Sequence, residues 1–351
     1  MELDVQCPAA TDGEIAAINL ESVRRRAWAR FAQGSHVPGL AEAVVDTERL
    51  TAQFFGDLDA LDRLEVLASQ FAHVDDSSRA ALVQAEVAST VHRFADARRH
   101  LARAKQKGAP REDLERHSLA IDQACGVDLD RVLAARHEIA AASGRLEDQV
   151  PLGAVLADLE RYAEADAVYR QAFYSHDGVS PFLPAWVCFQ LGMLWGELVP
   201  APDPGLAALW YRRAIAYLPG YVKARVHLAE ICAGSGQAGE AEALLTPALA
   251  SNDPEVRWRL ADVLTEQENF EEAKKQLDAA RFGFDGLLRR HELAFSDHAA
   301  EFYAGSGDDR PRALELALMN VANRPTRRAI AQASAIAQAS GLVRRHAGER
   351  L

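Results

Sequence analysis

Three pairs of ionisable residues recur at helical spacing in the C-terminal half of the chain: His227-x-x-Glu230, Arg259-x-x-Asp262 and His298-x-x-Glu301. In each pair the first side chain sits about one helical turn before an acid, so both project from one face of a helix. A histidine and a carboxylate at that spacing can share a metal ion, pass a proton, or present paired charges to a partner. The two histidine motifs stand far apart in the chain, too far to serve one ion unless the chain curls tightly. His291-Glu292 begins like the zinc-protease motif, but Phe295 occupies the place of its second histidine. No nucleophile elbow, phosphate-binding loop or dinucleotide fingerprint is present. Gly234-Ser235-Gly236 and Gly305-Ser306-Gly307 are short glycine-rich stretches that read as turns. Cys7, Cys125, Cys188 and Cys232 are widely spaced, so neither a zinc site nor a disulfide framework is indicated, and no cofactor is implied.

Composition narrows the partner. The 351 residues are 49% hydrophobic, enough for a large core, and the formal net charge is −12. A nucleic-acid binder is expected to show a basic face, so DNA and RNA are disfavoured and a basic peptide or protein surface is easier to accommodate. The Met1-Glu2-Leu3-Asp4 start lacks a signal profile, and no run of about 18 apolar residues occurs. No membrane role is indicated, and a cytoplasmic location is expected. Arg24-Arg25-Arg26 and Arg344-Arg345 read as solvated helix faces.

The elements that must carry these residues are helices throughout. Apolar residues recur at three and four spacing, alternating strand-like runs are absent, and Gly, Pro, Asn or Asp punctuate the pattern. Leu228-Ala229 is followed by Ala241, Leu245 and Ala248, and Leu260-Ala261 by Ala273, Leu277 and Ala280 at the same distances. Leu152-Gly153 with Tyr162, Ala165 and Tyr169, and Leu191-Gly192 with Ala207, Tyr211 and Ala214, share the same plan. A last copy has Ala299-Ala300, Tyr303 and Ala313, and an earlier one has Ala88, Phe94 and Ala97. Ala97 and Ala165 are 68 residues apart, twice a period of about 34, which leaves room for one degenerate copy near 112–145. The small residues are packing positions, where a larger side chain would force two helices apart.

This pattern resembles the tetratricopeptide repeat family over residues 78–325. The resemblance implies an all-α fold, an α-solenoid of tandem helix-turn-helix repeats forming a right-handed superhelix. Residues 1–76 would form a divergent helical cap, 77–325 the repeat array, and 326–351 a capping helix and tail. The first helix of each pair is then expected to line a concave groove. That places Trp186 and Gln190, then His227 and Glu230, then Trp258, Arg259 and Asp262, then Asp297, His298 and Glu301 along one track. Trp186 and Trp258 are expected as exposed aromatic anchors. The acid-rich track does not fit the lysine- and asparagine-based clamp that some relatives use for chaperone tails. The function expected is a non-catalytic scaffold or adaptor that holds a peptide or protein segment. The alternative is a metal- or small-molecule-binding sensor or enzyme built on the same ionisable cluster. Neither partner identity nor oligomeric state is encoded in the residue pattern.

Overall fold

The computed structural model describes residues 7–339, and all regular structure among them is helical. The chain begins with α1 (Gly13–Gly34), α2 (Leu40–Phe55) and α3 (Ala60–Val74). Next come α4 (Ser78–Thr90), α5 (Phe94–Gln106), α6 (Arg111–Ala124) and α7 (Leu129–Ser143). The middle holds α8 (Leu146–Asp158), α9 (Tyr162–Tyr174), α10 (Phe182–Met193), α11 (Pro204–Tyr217), α12 (Val222–Gly234) and α13 (Ala238–Leu245). The chain continues through α14 (Pro254–Glu266), α15 (Phe270–Ala304), α16 (Arg310–Asn323) and α17 (Arg327–Ala339). A π-helical turn at Leu194–Leu198 extends α10, and a 3-10 turn at Thr246–Ala250 extends α13. None of the described helices is long and apolar enough to cross a membrane. The Met1-Glu2-Leu3-Asp4 start and Arg344-Arg345 lie outside the described residues.

Local chemistry sets the helix starts. Asp203, Asp253 and Asp309 each accept a hydrogen bond from a backbone N–H in the first turn of α11, α14 and α16, with a proline at an adjoining first-turn position. An aspartate cap fills an orphan donor, and proline tolerates the turn that needs none. Four helix pairs close through a turn that also joins α5 to α6 and α6 to α7. Arg93, Arg161, Gln237 and Asn269 donate their N–H to Ala88, Leu156, Cys232 and Leu264, at 2.8, 2.8, 2.8 and 2.9 Å. The residue before each donor is left-handed: His92, Glu160, Gly236 and Glu268. Glycine supplies that conformation without strain at only one of the four.

The small residues pack as their spacing implies. A Cβ on Gly153 would stand 2.4 Å from the Tyr169 ring, and one on Gly192 2.4 Å from the Tyr211 ring. Both tyrosines are buried, so neither ring can swing away. Ala229, Ala241, Ala261, Ala273 and Ala280 are buried too. Gly192→Ala is expected to lower stability, because overpacking of about 1–3 kcal/mol exceeds the gain in helix propensity of about 1 kcal/mol. The midpoint of chemical denaturation measures this, and an unchanged or raised midpoint would contradict it.

Two compact units result. One comprises Leu50–Asp57, Asp128–Ser251 and the described residues up to Arg26; the other comprises Ala27–Arg49, Leu58–Val127 and the described residues from Asn252. In the first, α8 packs on α9, α10 on α11 and α12 on α13. Phe54 joins this unit through Phe182 and Tyr221, with ring centroids 5.2 and 4.7 Å apart. In the second, α4 packs on α5, α14 on α15, and α15 on α16. One aromatic core there gathers Trp258, Phe284, Phe302 and Tyr303. The degenerate copy near 112–145 does hold two helices, but α6 packs on α4 and α5 while α7 packs on α8, and they fall in different units.

The second unit also joins segments that a purely nearest-neighbour array would leave apart. Helix α15 kinks at His291, whose backbone leaves helical geometry at φ −139 and ψ 52. There the buried ring meets Asp62 of α3, Nε2 to Oδ1 at 2.7 Å. Arg290 binds Asp59 at 3.0 Å and also Asp62. In the same unit, Asn323 Nδ2 donates to the His92 carbonyl at 2.9 Å.

Candidate functional site

The candidate residues divide between the two units. Trp186, Gln190, His227 and Glu230 belong to the first, and Trp258, Arg259, Asp262, Asp297, His298 and Glu301 to the second.

In the second unit, α14 and the C-terminal part of α15 bring charged side chains into a connected chain. The Arg259 guanidinium lies over the Trp258 ring, 3.6 Å from its centroid. Its Nη2 reaches Glu301 Oε1 at 3.2 Å and Glu255 Oε1 at 3.5 Å. Glu255 in turn faces His298, Oε2 to Nδ1 at 3.4 Å. Glu255 and Arg259 are largely buried, whereas the side chains of His298 and Glu301 are 43% and 54% exposed. The solvent therefore meets one imidazole and one carboxylate, each steadied from behind.

Asp297 lies beside this chain and points inward. Its Oδ1 accepts the His298 N–H at 2.9 Å, and Oδ2 pairs with Arg324, the residue that ends α16. Burial works against its charge, but the charges of His298 and Arg324 overcome it and hold the carboxyl at about 2. Asp262 shows the opposite balance. Burial raises its pKa, against the Ser306 hydrogen bond and the charge of Arg259.

Trp258 is not an exposed anchor. It is 2% exposed, and its Nε1 donates to Ser306 Oγ at 3.0 Å, while Ser306 donates to Asp262 Oδ1 at 2.6 Å. The C-terminal part of α15 lays Phe302 against it, centroids 5.5 Å apart. Helical phase assigns Trp258 to a face; it carries no information that α15 covers that face.

In the first unit the centre is His227 on α12. Its Nδ1 lies 2.8 Å from Glu197 Oε1 and 3.5 Å from Glu230 Oε2. The ring stacks on Tyr211, centroids 5.5 Å apart and planes at 21°, and meets Phe189 at 5.4 Å. Glu197 arrives through the π-helical turn, which adds a residue to the helical circuit and rotates the residues beyond it. Trp186 and Gln190, one turn apart on α10, are both partly exposed.

The pairs read along each helix are thus partly replaced by pairs between helices. His227 keeps Glu230 and gains Glu197. Arg259 meets Glu301, and His298 meets Glu255. Sequence reasoning misses Glu255 and Arg324 as partners; the one local signal is that Glu255 stands four residues before Arg259, the spacing of a helical ion pair. Among the described residues no group of three or more His, Cys, Asp and Glu side chains is gathered to hold a metal ion. Cys125, Cys188 and Cys232 are buried and Cys7 is exposed, and burial pushes the Cys188 thiol well up.

Residues 236–283 match the tetratricopeptide repeat family model; they cover α13, α14 and the first part of α15. No curated protein matches the chain. Among solved structures, the APC/C hetero-tetramer Cut9-Hcn1 aligns at 15% identity and a TM-score of 0.43, over 86% of this chain and 63% of that one. The C-terminal part of a TPR repeat-containing protein from Cytophaga hutchinsonii aligns at 12% identity and 0.34, over 83% and 97%. A monomeric IFIT1 mutant with m7Gppp-AAAA aligns at 14% identity and 0.41, over 86% and 73%. Likenesses of this size say nothing of function.

Proposed function

We propose that this tetratricopeptide-repeat protein is a non-catalytic scaffold that holds a segment of another protein, a basic one by preference, against the face that exposes His298 and Glu301. The observation that carries the reading is the chain from Glu255 through Arg259 to Glu301, with His298 on Glu255. Side chains already fixed by neighbours lose little freedom when a partner arrives. The Trp258 ring beneath Arg259 adds to that order, since a stacked guanidinium keeps its plane. An acidic net charge of −12 favours a basic segment over long range and raises its association rate.

The test is affinity purification of the wild type and of the His298→Ala/Glu301→Ala double variant, with quantitative mass spectrometry of what each retains. Both side chains are substantially exposed, so the variant is expected to melt close to the wild type while losing the partner. A partner retained equally by a folded variant would refute the assignment of this face. A partner without a basic segment would refute the preference.

A further inference from the structure

A groove of about 490 Å³, open to solvent, runs between α15 and α16. Its floor is apolar: Leu288 and Leu316 are buried, and Met319 is partly exposed. Pro311, Glu315 and Met319 stand at four-residue intervals and share one stripe of α16. Leu288 and Glu292 face them from the two sides of the α15 kink. From Asp309 to Met319 the wall follows α16 for ten residues, about 15 Å of helix. An open trough between two helices suits the ridge of a third helix better than a small molecule, which needs enclosure.

The lining carries three carboxylates, Glu292, Asp309 and Glu315, against one base, Arg312. Asp309 caps α16, accepting the Arg312 N–H at 3.2 Å. Glu292 and Glu315 are exposed, and among the described residues neither carboxylate has a hydrogen bond or an ion pair. The cations around them are turned elsewhere. Arg312 pairs with Asp285 at 2.9 Å and lies 4.4 Å from the centroid of the Tyr303 ring. Arg290 binds Asp59 and Asp62, and Arg310 donates to the Ala339 carbonyl at 3.3 Å. Arg289, three residues before Glu292, folds back over Gly286, its Nη2 3.8 Å from where a Cβ would stand. The groove therefore keeps an apolar floor between two glutamates that the chain does not neutralise.

We propose that this groove docks a lysine-bearing amphipathic helix of a partner protein. Its apolar stripe lies on Leu288, Leu316 and Met319, as in other helix-in-groove complexes. A lysine lays its stem along the same floor and brings its ammonium to Glu292 and Glu315. Glu292 and Glu301 are nine residues apart on α15, half a turn out of phase, so this surface is independent of the face that exposes His298 and Glu301. The probe is a fluorescent alanine-based peptide with leucines at i, i+4 and i+7 and lysines beside them. It has about 18 residues, past the length at which isolated helices are marginal. Binding to the full chain is read by anisotropy, beside a scrambled peptide of the same composition and one with glutamate for lysine. The amphipathic lysine peptide is expected to bind best, the scrambled one about tenfold more weakly, because it loses the apolar match, and the glutamate peptide not measurably. Glu292→Gln/Glu315→Gln is expected to weaken the first peptide about fivefold, the loss of two surface ion pairs. Met319→Ser, at a partly exposed position, is expected to weaken it as well, and His298→Ala/Glu301→Ala to leave it unchanged. The idea fails if the scrambled peptide matches the ordered one, if the folded double glutamine variant binds as the wild type does, or if no lysine peptide binds. Loss of the peptide in His298→Ala/Glu301→Ala would move it to the other face. Wild-type dimers that Glu292→Gln/Glu315→Gln turns into monomers would make a second copy the occupant and overturn the assignment.

Discussion

Replacing Trp258 by alanine is expected to destabilise the protein by about 3–5 kcal/mol, the usual loss for a buried tryptophan. The ring is 2% exposed and packs on Phe284 and Phe302, centroids 6.2 and 5.5 Å away. Its removal leaves a cavity in the aromatic core of the second unit. It also strips Ser306 of the donor at Nε1 and Arg259 of the surface on which its guanidinium rests. Trp258→Phe keeps most of the apolar contact and loses the N–H, so its loss is expected to be smaller. Urea denaturation of the two variants measures the difference. An alanine variant as stable as the wild type would show that the ring is not a core residue. Loss of partner binding by Trp258→Ala would reflect unfolding, so the test of the binding face relies on His298 and Glu301.

The second large effect is acid lability. The His92 pKa is depressed from the ordinary 6.5 to about 4, chiefly by burial and then by the charge of Arg324, against Asp297 and a hydrogen bond to the Leu293 backbone. The folded protein therefore resists protonation that the unfolded chain accepts. Stability is retained above the unfolded value and falls as the pH drops from about 6.5 to about 4. A depression of that size corresponds to about 3 kcal/mol, as an order of magnitude. Asp297, held at about 2, acts in the same direction at lower pH. Its contribution is present above the ordinary carboxylate value of 3.8 and is lost as pH falls toward 2. Unfolding free energies measured at a series of pH values should show the slope. His92→Asn is expected to flatten it between about pH 6.5 and 4. Asparagine tolerates the left-handed backbone of this position, φ 56, and does not titrate. An equal slope in that variant would place the acid sensitivity elsewhere.

Much of this architecture is legible one helix at a time. Gly153 against Tyr169 and Gly192 against Tyr211 are readable as close helix contacts, because rise and period place a small residue on one helix opposite a ring at a set distance along the next. The aspartate and proline starts of α11 and α14 are equally local. The candidate site is legible only as membership of a region. His227 and His298 each contact a carboxylate, and Arg259 pairs with Glu301, yet Trp258 is core, and Glu255 lies outside the track that helical phase marks out.

The amino-acid order settles the helical period, the pairing of neighbouring helices and the small residues at their crossings, since each depends on interactions within a few tens of residues. Which charges meet is a property of the folded chain. Glu197 reaches His227 through a π-helical turn, and Glu301 reaches Arg259 across a helix pair. Arg290 and His291 reach Asp62 across 228 and 229 residues at the kink of α15. Such contacts depend on how whole helices bend and cover one another, and a local period carries no record of a side chain's neighbours from distant sequence.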